Sequence, residues 1–194
     1  MGIIVFDLDD TIANTADTVI KYAAEYHSGI LKRENKPAQN ISCADYFYFA
    51  DIFDWGDGEI SGFFDVYYPK YLKEIECKDN ASCITKHLHK CGWEIHILTS
   101  RIEVYNFDVI NATKDWLYIH DILYDKLKIG AVNKNVYLSE NEACIFVDDS
   151  YVNCMRATSI ENLKVFMVET PFNKYFENNN ITKIDNLLKI VEYL

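Results

Sequence analysis

A chain of 194 residues with 49% hydrophobic and 25% charged residues has the balance of an ordinary globular protein and the length to bury a sizeable core, which excludes wholesale disorder. A formal net charge of −11 excludes a surface built to coat nucleic acid, because that binding rests on Lys and Arg neutralising phosphates. An anionic substrate would need a locally positive site.

In chain order, the apolar run over 2–7 predicts a buried strand, and residues 5–12 read Val-Phe-Asp-Leu-Asp-Asp-Thr-Ile as it ends. Asp7 and Asp9 stand two apart, and alternate strand residues face one side, so both can address one substrate atom. Neighbouring carboxylates repel and cost desolvation, which a metal cation, a transferable proton or both would offset. The stretch 15–80 then delays the second strand for too long to be a simple crossover. Helical, aromatic-rich patterns over 15–26, 43–55 and 63–75 predict a helical cap inserted into a core formed by 1–14 and 81–194. The cap aromatics Phe47, Phe53, Trp55 and Phe63 can flank a base, and packing explains them equally well.

A helix over 82–89 stops near Cys91-Gly92, and a strand over 93–98 runs out into Thr99-Ser100-Arg101. Hydroxyls, backbone amides and a guanidinium at such an exit suit phosphate oxygens. The helix over 111–119 carries Lys114 in its opening turn, near the positive end of the helix dipole, with Trp116 to anchor it by burial. Strands follow over about 121–124, 143–147 and 164–168, with a helix over 151–158 between the last two, a polar loop at 178–180 and a closing helix over 185–193. The βαβ alternation predicts a parallel sheet with helices on both faces and a ligand site at the carboxyl ends of its strands.

The strand over 143–147 ends on Asp148 and Asp149, which alone would read equally well as a helix N-cap. Joined with Asp7 and Asp9 they make four carboxylates at one sheet edge, a hard-oxygen set that calls for Mg²⁺. A substrate dianion also needs a fixed positive charge, for which Lys114 is the first choice and Lys126 and Lys134 are alternatives. The six cysteines (Cys43, Cys77, Cys83, Cys91, Cys144, Cys154) have no zinc-ligand spacing, and His87 and His89 do not share a helix face. With a strand predicted so near residue 1 and no run long enough to span a bilayer, the expectation is a cytoplasmic protein with reduced thiols, no signal peptide and no membrane.

These residues, in this order, resemble the haloacid dehalogenase superfamily of phosphotransferases: Asp7-Leu8-Asp9-Asp10-Thr11 its first motif, Thr99 its second, Lys114 its third, Asp148-Asp149 its fourth. The resemblance implies a Rossmann-like α/β core, a five-stranded parallel sheet of order 5-4-1-2-3 with a small helical cap after strand 1, and an aspartyl-phosphate intermediate. Leu98-Thr99-Ser100-Arg101-Ile102, the turn Thr113-Lys114-Asp115-Trp116 and the segment Glu169-Thr170-Pro171-Phe172-Asn173 are similar to the 5′(3′)-deoxyribonucleotidases and related bacterial nucleotidases. Those relatives place their motif lysine early, which favours Lys114. Many carry Gly where this chain has Asp10 and Pro where it has Arg101.

The function expected is Mg²⁺-dependent hydrolysis of phosphomonoesters, foremost as a 5′-nucleotidase on nucleoside monophosphates. Asp7 is the nucleophile and Asp9 the acid and base. Asp7, the backbone of Asp9 and Asp149 hold the metal with Asp148 in support, while Thr99, Ser100 and Lys114 hold the phosphoryl oxygens. The alternatives are a phosphatase of sugar phosphates or other small phosphoesters and, from a different class, a non-catalytic phosphate-binding regulatory protein. The partner expected is a small phosphorylated metabolite, with no nucleic acid, and a homodimer is left open.

Overall fold

In a computed structural model of the chain, residues 2–34, 48–101, 107–131 and 133–194 are described. Cys43, Phe47 and Ile102 of the sequence reading lie outside them. Strand β1 (Ile3–Phe6) leads through a turn into β2 (Ala13–Asn14), helix α1 (Thr15–Glu25) and a π-helical turn (Tyr26–Ile30). Helices α2 (Tyr48–Phe53) and α3 (Asp57–Glu74) follow, then β3 (Glu76–Cys77), α4 (Ala81–Lys90) and β4 (Glu94–Thr99). The remainder is α5 (Val109–Ile119), β5 (Lys126–Ile129), α6 (Lys134–Glu140), β6 (Ile145–Asp148), α7 (Tyr151–Ala157), β7 (Lys164–Val168), β8 (Ile181–Ile184) and a 3₁₀ helix (Leu187–Tyr193).

Six strands form one sheet in the order β5-β4-β1-β6-β7-β8, every neighbouring pair parallel. Without β8 this is the five-strand order that the family resemblance implied. The inner strands are continuous apolar runs because both faces are covered. Ile4, Phe6, Ile95, Ile97, Ile145 and Val147 point into one core with α4, α5 and the 3₁₀ helix, while Val5, Leu98, Phe146, Val165 and Met167 point into a second with α6 and α7. Phe6 is level with Ile97 on one side and Val147 on the other. Asp7, Thr99 and Asp148 therefore leave the sheet at nearly the same height.

The helical insert leaves the core at β2 and returns at β3, and these pair antiparallel, Ala13 with Cys77 and Asn14 with Glu76. Its interior is aromatic: Tyr26 packs on Trp55 and Phe63 at ring-centroid distances of 5.2 and 5.8 Å, and Phe53 stacks on Trp55 at 5.4 Å. Buried His27 joins this stack, its Nδ1 accepting from Trp55 Nε1 at 3.0 Å, and so sits satisfied in the core. Gly62 on α3 admits the Tyr26 hydroxyl, which a Cβ there would meet at 2.5 Å.

Several elements differ from the sequence reading, three of them in the core in addition to α6. The third strand is at Lys126–Ile129 rather than 121–124, because Ile122 is apolar for burial in a turn, whereas β5 is an edge strand whose Lys126 and Lys128 are exposed. Strand β8, which falls between the polar loop at 178–180 and the expected closing helix and had no assignment from sequence, carries the mixed pattern Ile-Thr-Lys-Ile of a partly covered edge. The closing segment is 3₁₀ rather than α-helical and begins at Leu187. Among the described residues no helix is long and apolar enough to cross a membrane.

Candidate active site

The turn after β1 is built by its own backbone: Ile12 and Ala13 N–H both donate to the Leu8 carbonyl, at 2.9 and 2.8 Å. Asp10 occupies the left-handed region (φ 57°), which Asp tolerates better than most residues. Its Oδ1 accepts from Ala16 N–H at 2.7 Å in the first turn of α1, so Asp10 compensates for not being glycine by tying the turn to the insert. Burial pushes the Asp10 carboxyl up to about 6.

Asp7, Asp148 and Asp149 each offer a carboxylate oxygen within 4.8 Å of the others. Lys134, the first residue of α6, is buried between them, its Nζ donating to Asp7 Oδ1 and, at 2.6 Å, to Asp148 Oδ2. Burial drives the Asp7 carboxyl up to about 8 although Lys134 opposes it, and burial followed by the charges of Asp10, Asp148 and Asp7 raises Asp149 well above its ordinary range. One lysine does not balance three clustered acids, two of them buried and the third partly so. Three hard oxygen donors with surplus negative charge are the set a small divalent cation such as Mg²⁺ takes.

The supporting contacts show why the acids point together. Asp148 Oδ1 accepts from Ser150 N–H at 2.7 Å, and Asn153 Nδ2 donates to its oxygens at 3.4 and 3.2 Å. Ser150 is the N-cap of α7, its Oγ accepting from Asn153 N–H, so neither Asp148 nor Asp149 is used as a cap. Asn173 donates to the carbonyls of Asp149 and Val168 at 2.8 and 2.7 Å and accepts from Thr170 N–H at 3.0 Å, fixing the loop after β7 against the Asp149 backbone.

Asp9 lies in a different environment. Arg101 grips it with two bonds, Nε to Oδ2 at 2.9 Å and Nη2 to Oδ1 at 2.8 Å. Thr15 Oγ1 donates to Oδ1 at 2.7 Å and Thr99 Oγ1 to Oδ2 at 3.3 Å. Burial works to raise the Asp9 carboxyl, but Arg101 and these hydroxyls outweigh it and hold it below the usual carboxylate range.

Of the residues selected from sequence, Asp7, Asp9, Thr99, Asp148 and Asp149 are thus drawn to one end of the sheet. Ser100 is beside them, its hydroxyl donating to Ala131 carbonyl at 3.2 Å. Lys114 is not: it is exposed on α5, and the lysine at the acids is Lys134. Lys126, the other alternative, pairs with Glu94 at 3.1 Å on the surface of β5. Lys114 is also not in an opening turn, since α5 begins at Val109 and Lys114 is its sixth residue, and the acids are reached instead from the first residue of α6, a helix that the sequence pattern did not reveal. Arg101 was noticed as an anion donor rather than as the partner of Asp9. Thr15 and Asn153 carried no signal beyond their polar character, and Asn173 was marked only as the end of the segment 169–173 and not for the bonds it makes.

No protein-family model and no curated sequence matches the chain. Among solved structures it is similar to a haloacid dehalogenase-like family hydrolase from Streptococcus pneumoniae (TM-score 0.71, 13% identity, covering 100% of this chain and 98% of that one). It is also similar to a protein described as a predicted phosphatase from Clostridium acetobutylicum (TM-score 0.66, 16% identity, 100% and 99% covered). A third, described as a predicted phosphoglycolate phosphatase from Haemophilus somnus, gives a TM-score of 0.68 at 14% identity with 100% and 97% covered.

Proposed function

We propose that this chain, which has the fold of the haloacid dehalogenase-like hydrolases, is a phosphatase acting on small phosphomonoesters of the sugar-phosphate or phosphoglycolate kind. The observation that carries the reading is the meeting of Asp7, Asp148 and Asp149 around Lys134, with a second acid, Asp9, two residues beyond the first. In the first step an oxygen of Asp7 attacks phosphorus, the bond to the ester oxygen breaks, and Asp9 supplies the proton that the leaving oxygen takes. In the second, water attacks the aspartyl phosphate, Asp9 takes its proton, and phosphate departs as Asp7 is regenerated. Lys134 neutralises the phosphoryl oxygens in the role that the sequence pattern had given to Lys114, and Thr99 and the backbone at Ser100 line the same end of the sheet. Asp7 and Asp149, with Asp148 in support, would hold Mg²⁺, which when bound supplies the positive charge that a dianion needs to approach a carboxylate.

The expectation of a nucleotide substrate rested partly on cap aromatics free to stack on a base. Phe53, Trp55 and Phe63 are 3%, 8% and 0% exposed and pack on one another, so packing accounts for them. This favours a smaller substrate. An acid two residues after the nucleophile favours phosphoester over halide chemistry, because a leaving alkoxide needs a proton. The test is a panel of phosphorylated metabolites with p-nitrophenyl phosphate and Mg²⁺. Small phosphoesters should lead it, whereas a lead by nucleoside monophosphates would return the nucleotidase reading. Asp7→Asn should lower turnover by more than about a thousandfold with the fold intact, and unchanged turnover would remove Asp7 as the nucleophile.

A further inference from the structure

The four contacts on Asp9 fill it. A carboxylate offers about four lone-pair sites, and Thr15 and Arg101 occupy those of Oδ1 while Arg101 and Thr99 occupy those of Oδ2. In this arrangement Asp9 has no place for a leaving oxygen. To act it must turn out of the grip of Arg101, and that cannot happen alone, because Arg101 is itself buried and its side chain has, among the described residues, only one other hydrogen-bond partner, the Thr113 hydroxyl at 3.2 Å. A buried guanidinium stripped of its carboxylate is strongly disfavoured unless another anion takes the place. Lys134 and the metal-type acid set already serve the transferring phosphoryl group. Arg101 sits between Asp9 and the insert, close enough to Tyr68 and Tyr71 of α3 to interact with them electrostatically, so an anion on the part of the substrate that faces the insert would be within its reach.

We infer that the substrate carries a second anionic group on its non-transferring half, a carboxylate or another phosphate, and that this group replaces Asp9 on Arg101 and so releases Asp9 toward the leaving oxygen. Arg101 is then a specificity-determining residue that couples recognition of the substrate to readiness of the acid. A bidentate guanidinium is suited to this, since carboxylate and phosphate both match its fork. The inference rests on the phosphatase reading and narrows it: a phosphoester whose remainder is uncharged, as in a nucleoside monophosphate, leaves Arg101 on Asp9.

The test compares kcat/KM of the wild-type protein, with Mg²⁺, for 2-phosphoglycolate, a hexose bisphosphate, glycerol phosphate and p-nitrophenyl phosphate. The second anion should give an advantage of about tenfold or more over glycerol phosphate. Preference for 2-phosphoglycolate alone identifies a carboxylate and preference for the bisphosphate alone a phosphate, and either supports the inference. In Arg101→Gln the advantage should shrink to within about twofold, and Arg101→Lys, which keeps the charge without the fork, should restore only part of it. A merely structural Arg101 would lower all four substrates together and leave their ratios as they were, which overturns the inference. Equal turnover of all four by the wild-type protein overturns it without any variant having to fold. Absence of turnover on every phosphoester overturns the phosphatase reading and this inference with it.

Discussion

Asp7 and Asp9 are two residues apart, the first buried and the second partly buried, and their surroundings push them in opposite directions. Burial, helped by the charge of Asp148, raises Asp7 to about 8 against the pull of Lys134, while Arg101 outweighs the effect of burial on Asp9 and lowers it. The difference between the two acids is set mainly by partners from the end of β4, from α6 and from the β6 exit, all distant in sequence, with Thr15 of α1 as the one near neighbour. Lys134 is the residue on which this balance turns. Replacing it with Met leaves Asp7 and Asp148 without their shared cation, and breaking a buried pair in this way costs about 3–5 kcal/mol. Lys134→Met should therefore lower both the melting temperature and, by more than about a hundredfold, phosphatase turnover. Lys114→Met, on the exposed face of α5, should change stability by less than about 0.5 kcal/mol and leave turnover within about twofold, and the reverse result would restore Lys114.

Among the elements, the insert and the core are tied at few but specific places. Asp10 and Thr15 link the β1 turn to α1, β2 pairs with β3, and Trp116 of α5 donates its indole N–H to the Ile75 carbonyl at 2.8 Å where the insert rejoins the core. Within the insert, the Tyr26 ring at the start of the π-helical turn lies close against α3 because Gly62 has no side chain to meet it. Gly62→Ala should force that ring from its contacts with Trp55 and Phe63 and destabilise the protein by about 1–3 kcal/mol despite the better helix propensity of Ala, measured by denaturant unfolding. A gain in stability would show that the ring can move without cost. At this scale the inner strands were legible because burial on both faces makes them apolar runs, and α4, α5 and α7 because their apolar periodicity meets recognisable ends. The edge strands β5 and β8 were not, since a partly exposed strand mixes Lys and Thr into its pattern and loses contrast with a loop. The short α6 was lost for a similar reason: Lys134 is buried by its charge partners, a signal that no hydrophobic pattern carries.

For the whole molecule the surplus negative charge at the sheet edge links pH, metal and stability. The folded protein holds a proton on Asp7 between about pH 4 and pH 8 that the unfolded chain has already released. Stability from this group is therefore present at the acid end of that window and lost as pH rises through about 8, and the raised Asp149 acts in the same sense. A divalent cation would replace those protons. Mg²⁺ should raise the melting temperature more at about pH 8 than at about pH 5, and equal shifts at both would argue that it does not bind at these acids. The sequence alone determined the parallel α/β core, the insertion after its first strand, and the acids at the strand ends, since these depend on local periodicity and on where a buried run stops. The lysine beside Asp7, the Arg101 grip on Asp9 and the self-packed aromatics of the insert were decided only by tertiary structure. Each is a choice among chemically equivalent side chains that differ only in which of them the fold brings within a few ångströms of one another.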